Sequence, residues 1–341
     1  MGKVNVAVIG AGIMGKLHAR VVAESDRENL VAIVDVDECK SKELAKEYGA
    51  ESFSDYNLML KKSEVDAVCV ATPDFLHTDP VKACLNADKH ILVEKPLATT
   101  LEDSSSIIRN AKLHNKVLMV NYTHRWISSY AKAKEIIDRG ELGKPIMLYA
   151  RKNDTIMVPL EMIKWSRETS PAKFMSSHDI DLAQWFFNSK VKEVYAYGIK
   201  GILKKKGIDV YDAIQALVKF ENGGIGTFES AWVYPNTFPN TTDSYIQIVG
   251  ESGVITLDRR KETIEAASQE KYAYFNTSIV PIINNTIKGA FLYAHEHFID
   301  CIIEGKQPLT SAEIGHSVTE VTVAIHKSIE TGCPITLPIQ N

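Results

Sequence analysis

Two short stretches hold the residue types with the most chemical reach. One is Glu94-Lys95-Pro96, directly after an apolar run; the other is Gly10-Ala11-Gly12-Ile13-Met14-Gly15. A lysine ammonium is a compact charge that can hydrogen-bond a reacting oxygen, stabilise partial negative charge there, or take a proton if its pKa is depressed. Lys95 would do this only beside a bound redox cofactor, and the glycine spacing supplies the place for one. The apolar run Val4 to Ile9 precedes Gly10, and a helical pattern follows Gly15 to about Glu24. This is the strand, tight turn and helix that a dinucleotide fingerprint requires. Gly10 permits the turn, Gly12 lets backbone approach a pyrophosphate, and Gly15 lets the helix pack on the strand. The unsatisfied N–H groups at the helix start then face the phosphates. The next strand, Leu30 to Val34, ends in Asp35, about twenty positions on, where a carboxylate can bind the adenosine ribose hydroxyls. Val36-Asp37-Glu38 follows without arginine or lysine, which favours NAD over NADP.

The elements that position these groups alternate. Val65 to Val70 reads as a strand, Thr72-Pro73-Asp74 as its turn, and a helix begins near His77. Lys89 to Val93 is a strand ending at Glu94, Leu101 to His114 a helix, and Val117 to Val120 a strand. Such alternation predicts an α/β fold with a Rossmann doubly wound parallel sheet, and ligands in such sheets sit at the carboxyl ends of the strands. The glycine turn, Asp35, Thr72-Pro73 and Glu94-Lys95 all fall at those ends. After Asn121 the texture changes. Helices are expected over Trp126 to Arg139 and from Ser176-Ser177, two good N-cap residues. Strands follow over Val191 to Gly198, Val210 to Phe220, Ile225 to Val233, Tyr245 to Val249 and Val254 to Leu257. This predicts a C-terminal α+β domain with a large, mostly antiparallel open sheet. Two closing helices are expected, roughly Tyr293 to Ile303 and Ser311 to Glu330. The expected domains are 1–121 and 122–341, with the last helix free to pack back on the first.

Composition narrows the function classes. The 341 residues are 45% hydrophobic and 24% charged, with a net charge of -4. No basic face for nucleic acid is implied; Lys204-Lys205-Lys206 reads as a solvated hairpin tip. Five dispersed cysteines without CxxC spacing argue against a disulfide framework or a structural zinc. No signal peptide and no bilayer-spanning run is apparent, so a cytoplasmic protein is expected. His295-Glu296-His297 lacks HExxH spacing and reads as helix surface, with no metal expected.

Taken together, Gly10 to Gly15, Glu94-Lys95-Pro96 and Ser177-His178-Asp179-Ile180-Asp181 resemble the Gfo/Idh/MocA family, the relatives of glucose–fructose oxidoreductase and inositol dehydrogenase. Ala71-Thr72-Pro73 with His77 looks like the family's nicotinamide-side turn, and Leu309-Thr310-Ser311-Ala312-Glu313 like its late helix start. The resemblance covers nearly the whole chain. It implies an NAD(H)-dependent oxidoreductase acting on a sugar, cyclic polyol or related small molecule. It also implies a homodimer or homotetramer formed through the C-terminal sheet. Lys95 matches the family's lysine and His178 its histidine. The acid usually found four residues before that histidine is replaced by Phe174, so the usual Lys–Asp–His trio is incomplete. Asp181 and Asp154 are the candidate replacements.

On this reading Gly10, Gly12, Ile13, Met14, Gly15, Asp35, Thr72, Pro73, His77, Glu94 and Lys95 hold the cofactor. Hydride transfer from a carbinol carbon leaves a hydroxyl proton that needs a base. His178, near a helix N-terminus that disfavours imidazolium, is the expected base. Lys95 would hold the substrate oxygen, with a lysine-first proton relay equally compatible. Arg125, Trp126, Asp154, Trp165 and Tyr234 are candidates for the substrate wall, aromatic faces suiting a sugar ring and charged groups its hydroxyls. Two other readings remain open at this point. One is a non-catalytic NAD-binding sensor of the same fold; the other is a dehydrogenase of a trans-dihydrodiol, an imine or a nucleotide-linked sugar.

Overall fold

The computed structural model describes every residue except Met1, Lys261, Thr263 and Asn341. Contacts divide the chain into two units, Met1–Thr123 with Val280–His316, and His124–Ile279 with Ser317–Asn341.

The first unit is built on a six-stranded sheet in the order β3-β2-β1-β4-β5-β6. Its strands are β1 (Val4–Ile9), β2 (Glu28–Val34), β3 (Glu51–Phe53), β4 (Ala67–Val70), β5 (His90–Val93) and β6 (Leu118–Val120). Every neighbouring pair is parallel. Strands covered on both faces must be apolar almost throughout, and Val6, Ala7, Val8, Val68, Cys69, Ile91, Leu92 and Met119 are fully buried. Helices α1 (Ile13–Glu24), α2 (Glu38–Tyr48), α3 (Tyr56–Lys62), α4 (Thr78–Asn86) and α5 (Leu101–Ala111) make the crossovers. Local chemistry sets their ends. Asp37 accepts from the Cys39 and Lys40 amides at the start of α2, and Thr100 accepts from the Asp103 amide at the start of α5. Gly49, at φ 71°, closes α2. The strand order reverses between β1 and β4, the point at which such sheets bind ligands.

The second unit carries α6 (Ser128–Asp138), α7 (Ser177–Phe187) and a seven-stranded sheet in the order β12-β11-β7-β10-β9-β8-β17. The strands are β7 (Pro145–Thr155), β8 (Val191–Ile199), β9 (Ala213–Phe220), β10 (Ile225–Tyr234), β11 (Thr242–Gly250), β12 (Val254–Asp258) and β17 (Ile335–Thr336). Only β7 and β10 pair in parallel. One face follows the period-two pattern into the core, through Leu148, Ala150, Ile214, Ala216, Val218, Phe228, Ile246 and Ile248. Small ribbons β13 (Glu265–Ala267) with β14 (Tyr272–Tyr274), and β15 (Ile282–Ile283) with β16 (Thr286–Ile287), complete the strands. A short helix α8 (Ile202–Lys205) stands where a hairpin tip was expected. The Asp212 carboxylate accepts the Ile202 and Leu203 amides and so fixes that turn. The closing helices are α9 (Ala290–Glu304), which belongs to the first unit, and α10 (Ala312–Thr331), which passes into the second at Ser317. Among the described residues, no helix is long and apolar enough to cross a membrane.

One local expectation is corrected. Ser176 and Ser177 do not cap α7. A π-helical turn over Ala172–Ser176 runs straight into it, Ser176 has helical dihedrals, and the Ser177 amide donates to the Ala172 carbonyl. The backbone donors that a serine side chain would have satisfied are already taken, and so is the free helix end assigned to His178.

On α10, His326 Nδ1 lies 2.7 Å from the Thr322 carbonyl and Nε2 lies 2.9 Å from Ser170 Oγ. Burial pushes its pKa from 6.5 down to about 4. A histidine held neutral by the fold contributes stability that is complete above its unfolded pKa and is lost as pH falls through the folded one. The wild-type melting temperature should therefore drop more steeply between about pH 6.5 and about pH 4 than that of His326→Gln; parallel curves would reject this role.

Candidate active site

At the strand reversal the backbone is as crowded as the glycine spacing demands. A Cβ on Gly10 would lie 2.5 Å from the Ala71 carbonyl oxygen, and one on Gly15 would lie 1.7 Å from the Gly10 carbonyl oxygen. Gly10 also holds φ at 101°. Gly12 differs, because a Cβ there meets nothing within 4 Å. Its missing side chain leaves open space in front of the first turn of α1, whose N-cap is Gly12 and whose first turn has no side-chain cap and no acid. Ile13 is exposed, and Met14 packs against Val21, Ile287 and Phe291. Asp35, half-buried at the end of β2, accepts from the Ala11 amide at 2.7 Å and the Asp37 amide at 2.8 Å. Its carboxylate is thus fixed at the lip of the glycine turn, with acceptor capacity left for a diol.

The ends of β4 and β5 are tied to each other. His77 is buried, with Nδ1 2.8 Å from the Pro96 carbonyl and Nε2 3.1 Å from the Thr72 carbonyl. The ring joins the Thr72-Pro73 turn to the cis Lys95–Pro96 peptide. Burial lowers its pKa against the pull of Asp74, so the neutral ring donates to one carbonyl at a time. Glu94 is buried. Its Oε1 accepts from Asn121 at 2.8 Å and lies 3.0 Å from His18 Nε2, and its Oε2 accepts from the Lys95 amide at 3.3 Å. Burial opposes the anion, but the bonds from His18 and Asn121 and the charge of Lys95 overcome it and hold the pKa below the carboxylate range. Lys95 itself is partly exposed.

In the second unit His178 is the second residue of α7 and stacks on His124, centroids 3.9 Å apart at 22°. Lys152 Nζ lies 3.4 Å from His124 Nδ1 and donates to Asp179 Oδ1 at 2.5 Å. Both members of this pair are buried, and burial moves the lysine pKa down and the aspartate pKa up, each against its partner's charge. Arg125 makes a buried two-point bond to Asp181, at 2.9 and 2.6 Å, and lies over Trp185. Asp181, one of the candidate replacement acids, is thereby engaged by Arg125. Asp154 is buried on β7 and accepts from the Thr242 hydroxyl at 2.6 Å. Trp165 and Phe174 meet edge to face at 5.9 Å and pack on a cluster with Trp232, Met175 and Val158. Phe174 is an apolar packing residue, and no carboxylate occupies its position. Tyr234 Oη accepts from Asn153 at 2.8 Å, and Trp126 is half-buried at the end of a short 3-10 turn.

The sequence reading missed His124, Lys152 and Asp179. Lys152 carried a signal: it continues the inward alternation Leu148, Ala150, Lys152 on β7, which puts a charge on a core face. The reading of His295 as helix surface is corrected. It is fully buried, because it lies on the face of α9 that also buries Phe291, Ala294, Phe298 and Ile299.

The first unit thus fits a dinucleotide. The open space at Gly12 and the uncapped amides of α1 suit the pyrophosphate, and Asp35 suits a ribose diol. Gly12→Ala should leave the melting temperature close to wild type and weaken NAD binding by about tenfold or more, whereas Gly15→Ala should destabilise the fold itself. Calorimetry and titration together check this; equal NAD affinity in Gly12→Ala would contradict the placement.

Comparison with known proteins agrees. Residues 4–122 match the model of the Gfo/Idh/MocA oxidoreductase family NAD-binding Rossmann fold, and residues 134–337 match its C-terminal alpha/beta domain. A scyllo-inositol 2-dehydrogenase (NAD(+)) of Bacillus subtilis is 30% identical over 348 residues, covering 99% of this chain and 97% of that one. A myo-inositol 2-dehydrogenase of Thermotoga maritima is 29% identical over 337 residues, covering 95% and 96%. A solved structure of a probable dehydrogenase from Thermotoga maritima superposes with a TM-score of 0.84 at 26% identity, covering 98% of this chain and 99% of that one. With a fingerprint turn, an acid at the end of β2 and a Glu-Lys-Pro strand end in place, the chain belongs to the Gfo/Idh/MocA family of oxidoreductases.

Proposed function

We propose that this protein is an NAD(H)-dependent oxidoreductase that moves a hydride between nicotinamide and a hydroxyl or ketone carbon of a sugar or cyclic polyol. The observation that carries the reading is the convergence, at the carboxyl ends of one parallel sheet, of the open Gly12 turn, Asp35, the Thr72-Pro73 turn and Lys95. The names of the similar dehydrogenases make an inositol the first substrate to try.

When bound, NAD supplies the hydride acceptor. The chain supplies the rest. Lys95 holds the substrate oxygen and stabilises its developing charge. His178 takes the hydroxyl proton. His124 stacks on it, and Lys152 and Asp179 stand behind His124. This group takes the place of the acid that the resemblance leads one to expect at Phe174, helping to orient the imidazole. Asp154, Trp126, Trp165 and Tyr234 are assigned to the substrate wall. Arg125 is assigned to holding α7 through Asp181. The protein works in the cytoplasm as a homodimer or homotetramer. The outer face of the seven-stranded sheet supports the assembly, since Tyr197 and Leu217 are 67% and 53% exposed there. Sedimentation of the full chain reads its size.

The rival reading is an NAD-binding sensor, and Phe174 is the observation that favours it. NADH absorbance during incubation with a panel of sugars and polyols decides. Turnover in wild type, lowered by about 10²–10⁴-fold in Lys95→Ala and in His178→Ala, is expected. Tight NAD binding with no turnover of any panel member would favour the sensor.

A further inference from the structure

Beneath the strand ends lies a sealed polar cluster that the reaction above does not use directly. It gathers His18 of α1, Glu28 of β2, Cys69 of β4, Glu94 after β5, Asn121 after β6 and His295 of α9, each at most 6% exposed. These groups line up. Glu94 Oε1 lies 3.0 Å from His18 Nε2, and His18 Nδ1 lies 2.6 Å from His295 Nε2. His295 Nδ1 faces Glu28 Oε1 at 3.7 Å. Those last two atoms are buried and have no hydrogen-bond partner.

Donor directions follow from the Glu94 end. The carboxylate is an anion that accepts from Asn121 and from the Lys95 amide, so His18 must donate to it through Nε2. Burial lowers the His18 pKa despite the Glu94 bond, so its ring is neutral and Nδ1 is bare. His295 then donates through Nε2. That leaves His295 Nδ1 and Glu28 Oε1 as two lone pairs facing each other in a dry interior, which one proton between them would satisfy. The same residues resemble a metal site, since ligand atoms of His18, Cys69 and His295 lie within 4.8 Å of one another. Two features oppose that. The imidazoles already bond each other, and burial above all pushes the Cys69 thiol well up, away from the thiolate a metal would need.

We propose that His295, His18 and Glu94 form one buried hydrogen-bond chain, that Glu28, facing it at 3.7 Å, closes its far end around a single shared proton, and that this arrangement sets the His18 tautomer that fixes Glu94 under Lys95. It rests on the reading of Lys95 given above. Counted with its proton, the chain bears one net negative charge, which lies on Glu94 beside the Lys95 ammonium. Other titratable groups near it include the neutral Cys69 thiol and the neutral His77 ring, which feels the Glu94 charge. Glu28, His295, His18 and Glu94 are positioning residues: they act on Lys95 through the amide that Glu94 Oε2 accepts.

Histidine side-chain proton–nitrogen spectra of the full-length, NAD-saturated protein test the chain. His18 should appear as a single Nε2–H tautomer, unchanged from about pH 6 to about pH 9, and His295 Nδ1 should show a protected proton. Glu28→Leu should lose that proton and lower kcat by about tenfold, while Glu28→Gln, whose amide can donate to Nδ1, should restore the His18 tautomer and most of the rate. An Nδ1–H tautomer at His18, its titration in that range, or a stoichiometric zinc that survives dialysis would overturn the proposal. If Lys95→Ala kept full turnover while the His18 spectrum stood as expected, the reading of Lys95 would fall and the chain would stand.

Discussion

A single buried carboxylate organises the first unit. Glu94 sits where β5 ends, below the dinucleotide edge of the sheet, and receives bonds from a helix, from the end of the neighbouring strand and from the backbone of Lys95. An ionised acid in such a place is tolerated only when each lone pair it turns inward is answered. That demand explains why His18, Asn121 and Lys95 cannot be chosen independently. It also explains why Glu-Lys-Pro is more than a strand ending: its first residue anchors, its second is the lysine proposed to act, and the carbonyl of its third faces His77.

The second unit solves a different problem by other means. Phe174 stands where the family resemblance leads one to expect an acid, and it belongs instead to an apolar cluster around Trp232. The nearest charges are the buried Asp179–Lys152 pair, with His124 between Lys152 and the His178 ring on which it stacks. Arg125, just after His124, and Asp181 of α7 form a buried two-point bond beside that stack. Burial of both pairs is costly unless geometry is good, which suggests they are kept for position rather than for stability.

The legible part of this molecule was the part coded by short spacing. The glycine turn, Asp35 and Glu94-Lys95 announce themselves because a strand, a turn and a helix N-terminus are local structures with fixed residue demands. The parallel sheet followed from alternation alone. What escaped was non-local. His124 meets His178, and Lys152 meets Asp179, only once β7 and α7 are packed, and no spacing encodes that. His295 was misread because two histidines flanking a glutamate look polar, while the neighbouring apolar positions decide which side of α9 is inside. The π-turn before α7 was invisible because serine pairs signal helix starts far more often than continuations.

The central claim is that Lys95, at the end of β5, is the group proposed to hold the reacting oxygen of the substrate. Steady-state kinetics of Lys95→Ala with NAD and a panel of inositols, beside its NAD affinity, tests it most directly. The account predicts kcat lowered by about 10²–10⁴-fold while NAD still binds. Full turnover in Lys95→Ala would contradict it.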